Sequence, residues 1–343
     1  MGGGIAPTIT TPPSVSWTVE IGNSPTLTDP VYTGDTGTIT WTLYRDGVAD
    51  GTIANVSKAT AEAYAAAWSG TNTGVNDIGK NGGKPQLTFV ATVTNGSGSD
   101  SAGSNAASFD PSAYPVAILI SDEDTVLADS DTTVDQWDAC DGALAYTAAA
   151  ASSSVRPDYD ATGGVGGRPL VCFVAVNGDR LTGTLTRGSA WSNAEAGFVG
   201  NPVNIASGRR PISYYFSGAS RFSLIGISDV TPTADRLNLF YNVTTAAGTT
   251  WSGSVNGVEG HYSGDLEVSG ASNMRFGGTV QSTTSGPSVS IGDAGTLALG
   301  AYAGSPTAWA DVEYAAAYCG GKLTDAQRLN LRAYLTGRTG VSC

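Results

Sequence analysis

Carboxylates two positions apart on a strand point to the same face, and two of them about 5 Å apart are what retaining glycoside hydrolysis requires. On a single strand that chemistry would be written Glu-x-Asp-x-x-Glu. The glutamates are Glu20, Glu62, Glu123, Glu195, Glu259, Glu267 and Glu313, and none has Asp two positions later. Two stretches still place a pair of acids on one strand face: Asp265 with Glu267 in DLEV, and Asp311 with Glu313 in DVEY. Exposed strand faces often carry such pairs, so both read as surface acids rather than as a catalytic couple. His261 is the single histidine, which any Ser-His-Asp or Cys-His arrangement would have to use, and zinc sites built on several histidines are excluded. Its neighbours in VEGHYSG are turn residues, which predicts a solvent-facing loop. TGGVGG lacks the Lys-Ser/Thr of a phosphate cradle and reads as a loop. The Asp-rich run SDEDTVLADSDTTVD, residues 121 to 135, offers oxygens of the kind Ca²⁺ takes, without the twelve-residue loop pattern. The expectation is no catalytic residue, no cofactor and no metal, with Ca²⁺ as the one ion that run could hold.

Cys140, Cys172, Cys319 and Cys343 lie far apart with no CxxC pair, so they read as ordinary thiols; one helix separates Cys319 from Cys343, a spacing at which a bond is geometrically conceivable. Lys and Arg number 17 against 30 Asp and Glu, a formal charge of -13. Such a surface repels phosphate backbones, which argues against nucleic acid and anionic membranes as partners. No apolar run reaches the roughly 20 residues of a membrane span. The opening MGGGIAPTITTPP has neither a basic nor an apolar signal-peptide region, so the expectation is synthesis in a cytoplasm without export.

The elements that must position these groups are strands. Gly is 46 of 343 residues and only 14% are charged, an all-β, turn-rich composition. Residues 1–12 read as an arm. Over 13–108, SVSWTVEI, GTITWTLYRDG and KPQLTFVATVTNGSGS alternate with period two, as in a small sandwich, and ATAEAYAAAW reads as a short helix or a turn. Two prolines near 109–115 mark a linker. From 116 to 343, eight or more longer strands precede one amphipathic helix, which suggests a two-sheet jelly roll. That helix is predicted from Thr324 as its cap, with Gly337 as its stop and an apolar side on Leu323, Ala326, Leu329 or Asn330, Ala333 and Tyr334.

Two resemblances follow. ITWTLYRDGVADG, with Trp41 and Tyr44 before the Asp46-Gly47 turn, and LTFVATVTNGSGSDSAGS resemble a bacterial or phage immunoglobulin-like domain. The disulfide of many such domains is missing, so the resemblance implies stability from packing around Trp17 and Trp41. Residues 134–183 resemble the opening of a concanavalin A-like lectin/glucanase domain of the laminin-G-like kind, common in phage and bacterial surface proteins. The carriers are Val134-Asp135-Gln136-Trp137, then Arg156, Pro157 and Tyr159, then Gly167, Arg168, Pro169, Val171 and Phe173 running into Asn177-Gly178-Asp179. TTWSGSVNGVEG, with Trp251 and the Asn256-Gly257 turn, resembles its hairpin; WADVEYAAAYCGGKLTDAQRLNLRAYLTGRTG resembles its last strand and closing helix, which would cap the jelly roll. One departure is DACDGA, residues 138–143, where relatives commonly carry a Lys-Ser-Gly-Asn-like loop.

Together with the missing catalytic constellation and export signal, the resemblances imply a non-enzymatic virion protein, a host-attachment fibre, spike or capsid decoration protein of a phage or phage-like particle. Its arm would dock on other virion proteins and its jelly roll would touch host-surface polysaccharide. Sugar recognition needs aromatics beside amides, and the candidates are Trp191 with Asn193 and Tyr302 with Trp309. A homo-oligomer is expected, a trimer by analogy with fibres. Two alternatives stay open: a purely structural spike, and a bacterial adhesin or polysaccharide-degrading enzyme.

Overall fold

The computed structural model describes residues 4–343 except 71–75, 81, 129–131, 187–192, 205–210, 217–220, 228–236, 242–246, 251–256, 286–293, 303–304 and 310. The chain is all-β with one long helix at its end, and it divides into two compact units: Met1–Asp110 with Leu329–Arg338, and Pro111–Arg328 with Thr339–Cys343.

In the first unit the strands Thr38–Arg45 and Leu87–Asn95 pair antiparallel at the centre of a four-stranded sheet, flanked by Val48–Ala49 and Gly98–Gly103. Alternation puts Trp41, Leu43, Phe89, Ala91 and Val93 on one buried face. The Asp46-Gly47 turn has φ of 50° and 78°, the left-handed pair that an Asp-Gly hairpin supplies. Trp41 is fully buried as expected, and the half-buried Trp17 packs at 6.0 Å ring separation on both Tyr64 and Phe89. A single turn of helix, Lys58–Glu62, leads into ATAEAYAAAW, and its Thr60 N–H donates to Ser57 Oγ at 3.2 Å. The Arg45 guanidinium lies inside this unit and donates to Asp77 at 2.7 Å, with Asp50 and Tyr64 also on it. The arm expected over residues 1–12 is partly strand: Thr8–Thr11 pairs with Val31–Thr33, as its β-branched TITT sequence favours.

In the second unit, among the described residues, nine strands form one antiparallel sheet and eight form another. The eight-stranded sheet runs Asp158–Asp160, Leu170–Phe173, Asp311–Gly320, Asn193–Asn204, Gly260–Glu267, Ala271–Phe276, Thr279–Ser285, with Val116–Ile120 also paired on Asp311–Gly320. Inward residues of both sheets meet in one core: Trp137, Leu181, Leu185, Leu297 and Leu299 from the first sheet, Phe173, Phe198, Tyr262, Leu266 and Tyr314 from the second. Tyr314 is its hub. The ring stands edge-on to Phe173 at 5.1 Å and to Phe198 at 5.3 Å, and its hydroxyl donates to Pro211 O. No disulfide joins Cys319 to Cys343.

The helix Asp325–Thr339 starts where the sequence placed it. Gln327 N–H donates to Thr324 Oγ1 at 3.1 Å while Gln327 Oε1 accepts Thr324 N–H at 3.0 Å, a reciprocal capping box. It ends later than expected: Gly337 is helical, and Gly340, at φ 78°, follows the last turn. Gly337 answers a packing need, because a Cβ there would come within 2.1 Å of Gly79 O. Residues 329–338 group with the first unit, where Asn330 Oδ1 accepts Ile21 N–H at 2.8 Å and the Tyr334 ring lies 5.6 Å from Phe109. An apolar stripe announces burial without naming the surface it is buried against.

Tyr314→Ala removes the core hub, and a loss of about 3–5 kcal/mol in the stability of the second unit is expected. Urea unfolding followed on that unit checks it; an unchanged midpoint would mean Tyr314 is not the hub.

Candidate functional site

On the strand Asn193–Asn204, Ala194, Ala196 and Phe198 enter the core, so Glu195 faces the other way; on Gly260–Glu267, Tyr262 and Leu266 enter the core, so His261, Ser263, Asp265 and Glu267 face away with it. Glu195 and Asp265 are register partners, and both are 0% exposed. Arg328 Nε lies 2.9 and 3.0 Å from the two Glu195 oxygens and its Nη2 lies 2.8 Å from one of them. Leu323 N–H donates to the same carboxylate at 3.0 Å. Asp265 is held by Arg275, by Lys322 Nζ at 3.1 Å and by the Asn273 amide. Lys322 also reaches Glu267 at 2.5 Å. Burial pushes the Glu195 carboxyl up. Burial alone would lower the Arg328 guanidinium, yet Glu195 and Asp265 outweigh it and hold this side chain firmly as a cation. This end of the face is a closed ionic clasp.

His261 is not in a loop. It is a buried residue of Gly260–Glu267, with Nε2 3.1 Å from the Tyr318 hydroxyl. The glycine before it suggested a turn, but Gly260 is small because a Cβ would come within 2.4 Å of the Phe276 ring.

The other end of the same face is half-exposed. Register partners Asp158, Cys172, Glu313 and Asn201 form a row across four strands, and Asn201 Nδ2 donates to Glu313 at 3.0 Å. Burial, then the charges of Glu313, Asp160 and Asp158, pushes the Cys172 thiol up to about 12, so it stays protonated. Burial and Glu313 together push the Glu259 carboxyl up. Beside the row, Asp311 accepts Ala175 N–H at 2.6 Å and the buried Asp179 accepts Val174 N–H at 2.9 Å. Asp179 is pushed up to about 6, chiefly by burial. Val203 and Val258 are exposed here, and Gly257 N–H donates to Pro202 O at 2.8 Å, tying their two segments together. Thus DVEY does present Asp311 and Glu313 on one face, as read from its spacing.

Of the residues proposed for sugar contact, Asn193 opens the long strand and its Oδ1 accepts Lys322 N–H at 3.3 Å, beside the clasp. Tyr302 and Trp309 lie on a two-stranded hairpin, Ala301–Tyr302 with Ser305–Trp309, described as backbone. Trp191, like Trp251 and the Asn256 turn, lies outside the described residues. Glu195, Arg328, Asn201 and Cys172 were not singled out from sequence; only the strand register reveals what each of them faces.

No family model matches the chain, and no curated protein matches it. Among solved structures it is similar to domain 4 of AbnA, a GH43 extracellular arabinanase from Geobacillus stearothermophilus in complex with arabinotriose, at 16% identity and a TM-score of 0.38, covering 51% of this chain and 80% of that one. It is also similar to a heptameric SAP-like pentraxin from Limulus polyphemus, at 16% identity and 0.30, over 40% and 69%. A third is a Trypanosoma rangeli sialidase in complex with sialic acid, at 10% identity and 0.38, over 75% and 44%. At these scores no ligand or activity passes from those proteins to this chain.

Arg328→Met leaves Glu195 buried without its cation and is expected to cost about 3–5 kcal/mol, while Glu195→Gln with Arg328→Met together recovers at least half. A double-mutant denaturation cycle checks this; additive losses would refute the pairing. For Asp179 the folded pKa stands above its unfolded value of 3.8. Its stabilising contribution is therefore complete below about pH 4 and is lost as the pH rises through about 6. Comparing wild type with Asp179→Asn between pH 7 and 4.5, wild type should gain stability relative to the variant; parallel pH profiles would exclude the shift.

Proposed function

We propose that the chain is a non-enzymatic attachment protein of a phage or phage-like particle, a fibre, spike or decoration protein, whose second unit binds a cell-surface glycan through the half-exposed end of its eight-stranded sheet. The observation that carries the reading is the row of Asn201, Glu313, Cys172 and Asp158, with Glu259 beside it. Carboxylates and an amide fixed on a rigid sheet match the hydroxyl pattern of a sugar, and exposed Val203 and Val258 offer apolar contact to a ring face. The chemistry of bond cleavage finds less support. The Cys172 thiol is held protonated, His261 is buried against Tyr318, and Asp265 and Glu267 are engaged by Lys322. The particle assignment is supported by the pairing of immunoglobulin-like and lectin-like sequence patterns. A homotrimer would present three such faces and raise avidity.

Polysaccharide hydrolysis is the second reading, favoured by one observation: Glu259 is pushed up by burial and by Glu313, as the acid of a two-carboxylate mechanism would be. A glycan array probed with wild type, Asn201→Ala and Glu313→Gln separates the readings. Saturable binding that both variants weaken at least about tenfold, with no sugar released, is expected. Sugar release that stops in Glu313→Gln establishes the enzyme instead, and the absence of any saturable glycan leaves only the structural spike.

A further inference from the structure

Among the described residues one set of three side chains brings metal-ligating atoms together: a Glu123 oxygen, the Cys140 sulfur and an Asp141 oxygen all lie within 4.8 Å of one another, on half-buried residues. Neither segment is loose. Glu123 N–H donates to Ile120 O at 3.1 Å and Cys140 N–H to Ile118 O at 2.9 Å, so both are pinned to Val116–Ile120, a strand buried along its whole length. The turn after Asp141 is fixed as well. Gly142 has φ of 90°, and a Cβ on it would come within 1.9 Å of Val116 O, so only glycine lets the chain pass there. Cys140 Sγ–H points at Ile118 O, 3.4 Å away, a weak bond that a stronger partner for the sulfur can replace.

We propose that Glu123, Cys140 and Asp141 form a binding site for a divalent zinc-like cation, with water in the fourth position. A thiolate with two carboxylates presents three negative charges to a dication. The sulfur selects a borderline-soft ion over Ca²⁺ or Mg²⁺, which take hard oxygen sets. In a tetrahedral zinc site neighbouring ligand atoms stand about 3.5 Å apart, so the observed grouping has to draw in by roughly an ångström to close onto an ion. Binding replaces the S–H bond with S–Zn and releases the Cys140 proton to the buffer. The ion would fasten the 121–124 turn to the DACDGA turn, where the chain departs from the lectin-like pattern it otherwise resembles.

The test uses the full chain, freed of metal with a chelator and titrated with Co²⁺ as an optical probe and Zn²⁺ in a calorimeter. One equivalent of Co²⁺ should produce a thiolate-to-cobalt charge-transfer band, and Zn²⁺ heats should differ between buffers of different ionisation enthalpy because a proton is released. Cys140→Ser should abolish the band and weaken Zn²⁺ binding at least about a hundredfold; Glu123→Gln and Asp141→Asn should each weaken it about tenfold. Cys172→Ser, on Leu170–Phe173 and outside the three ligands, should change neither. No band in wild type, or a band that survives Cys140→Ser, overturns the proposal; far-ultraviolet circular dichroism of each variant confirms that it folds.

Discussion

Glu195 and Asp265 stand beside one another, out of reach of water, on the sheet face turned away from the apolar core. An unpaired buried carboxylate costs several kcal/mol, so cations must be brought to that spot. Arg275 comes from the neighbouring strand; Lys322 and Arg328 come from beyond the last strand, more than a hundred residues along the chain from Glu195. The segment after Gly320 is thereby obliged to turn back across the sheet. Leu323 N–H closes on Glu195, Thr324 and Gln327 cap each other, and the helix begins where Arg328 is in reach. The position of the helix start is thus a consequence of where two acids are buried.

The parts of this arrangement that were legible in the sequence are those written in short-range spacing. Period-two runs gave the strands around Trp41 and Phe89, Asp46-Gly47 gave a hairpin, and Thr324 with Gln327 gave the helix start. What was not legible depends on partners distant in sequence. Glu195 entered the sequence reading only as one of the glutamates without a catalytic partner; that it is buried and paired is decided by Arg328, distant in sequence. Cys140 reads as an isolated thiol because Glu123 is distant in sequence and comes beside it only through their shared strand.

Glycine misled the reading in two places for one physical reason. Around His261 and at Gly337 it was read as turn or stop, from its backbone freedom. In both places it is needed for closeness: Gly260 leaves room for the Phe276 ring, and Gly337 lets a helix approach the carbonyl of Gly79. In a chain so rich in glycine the residue type alone does not distinguish the two uses, and β-branched or aromatic neighbours at period two are the better guide.

The two ends of the outward face differ in how their acids are partnered. From Glu195 to Asn201 is six strand residues, about 20 Å. At the Glu195 end each buried carboxylate meets a guanidinium or ammonium at hydrogen-bond distance, and the site is closed to anything else. At the Asn201 end the neighbours of Glu313 are an amide and a protonated thiol, and its charge raises Cys172 and Glu259 instead of being quenched. Like charges gathered on a half-exposed face cost stability, and a fold sustains that cost where a bound molecule with hydrogen-bond donors, such as sugar hydroxyls, can relieve it. That asymmetry, rather than the mere presence of acids, is what supports placing the proposed glycan contact at the Asn201 end.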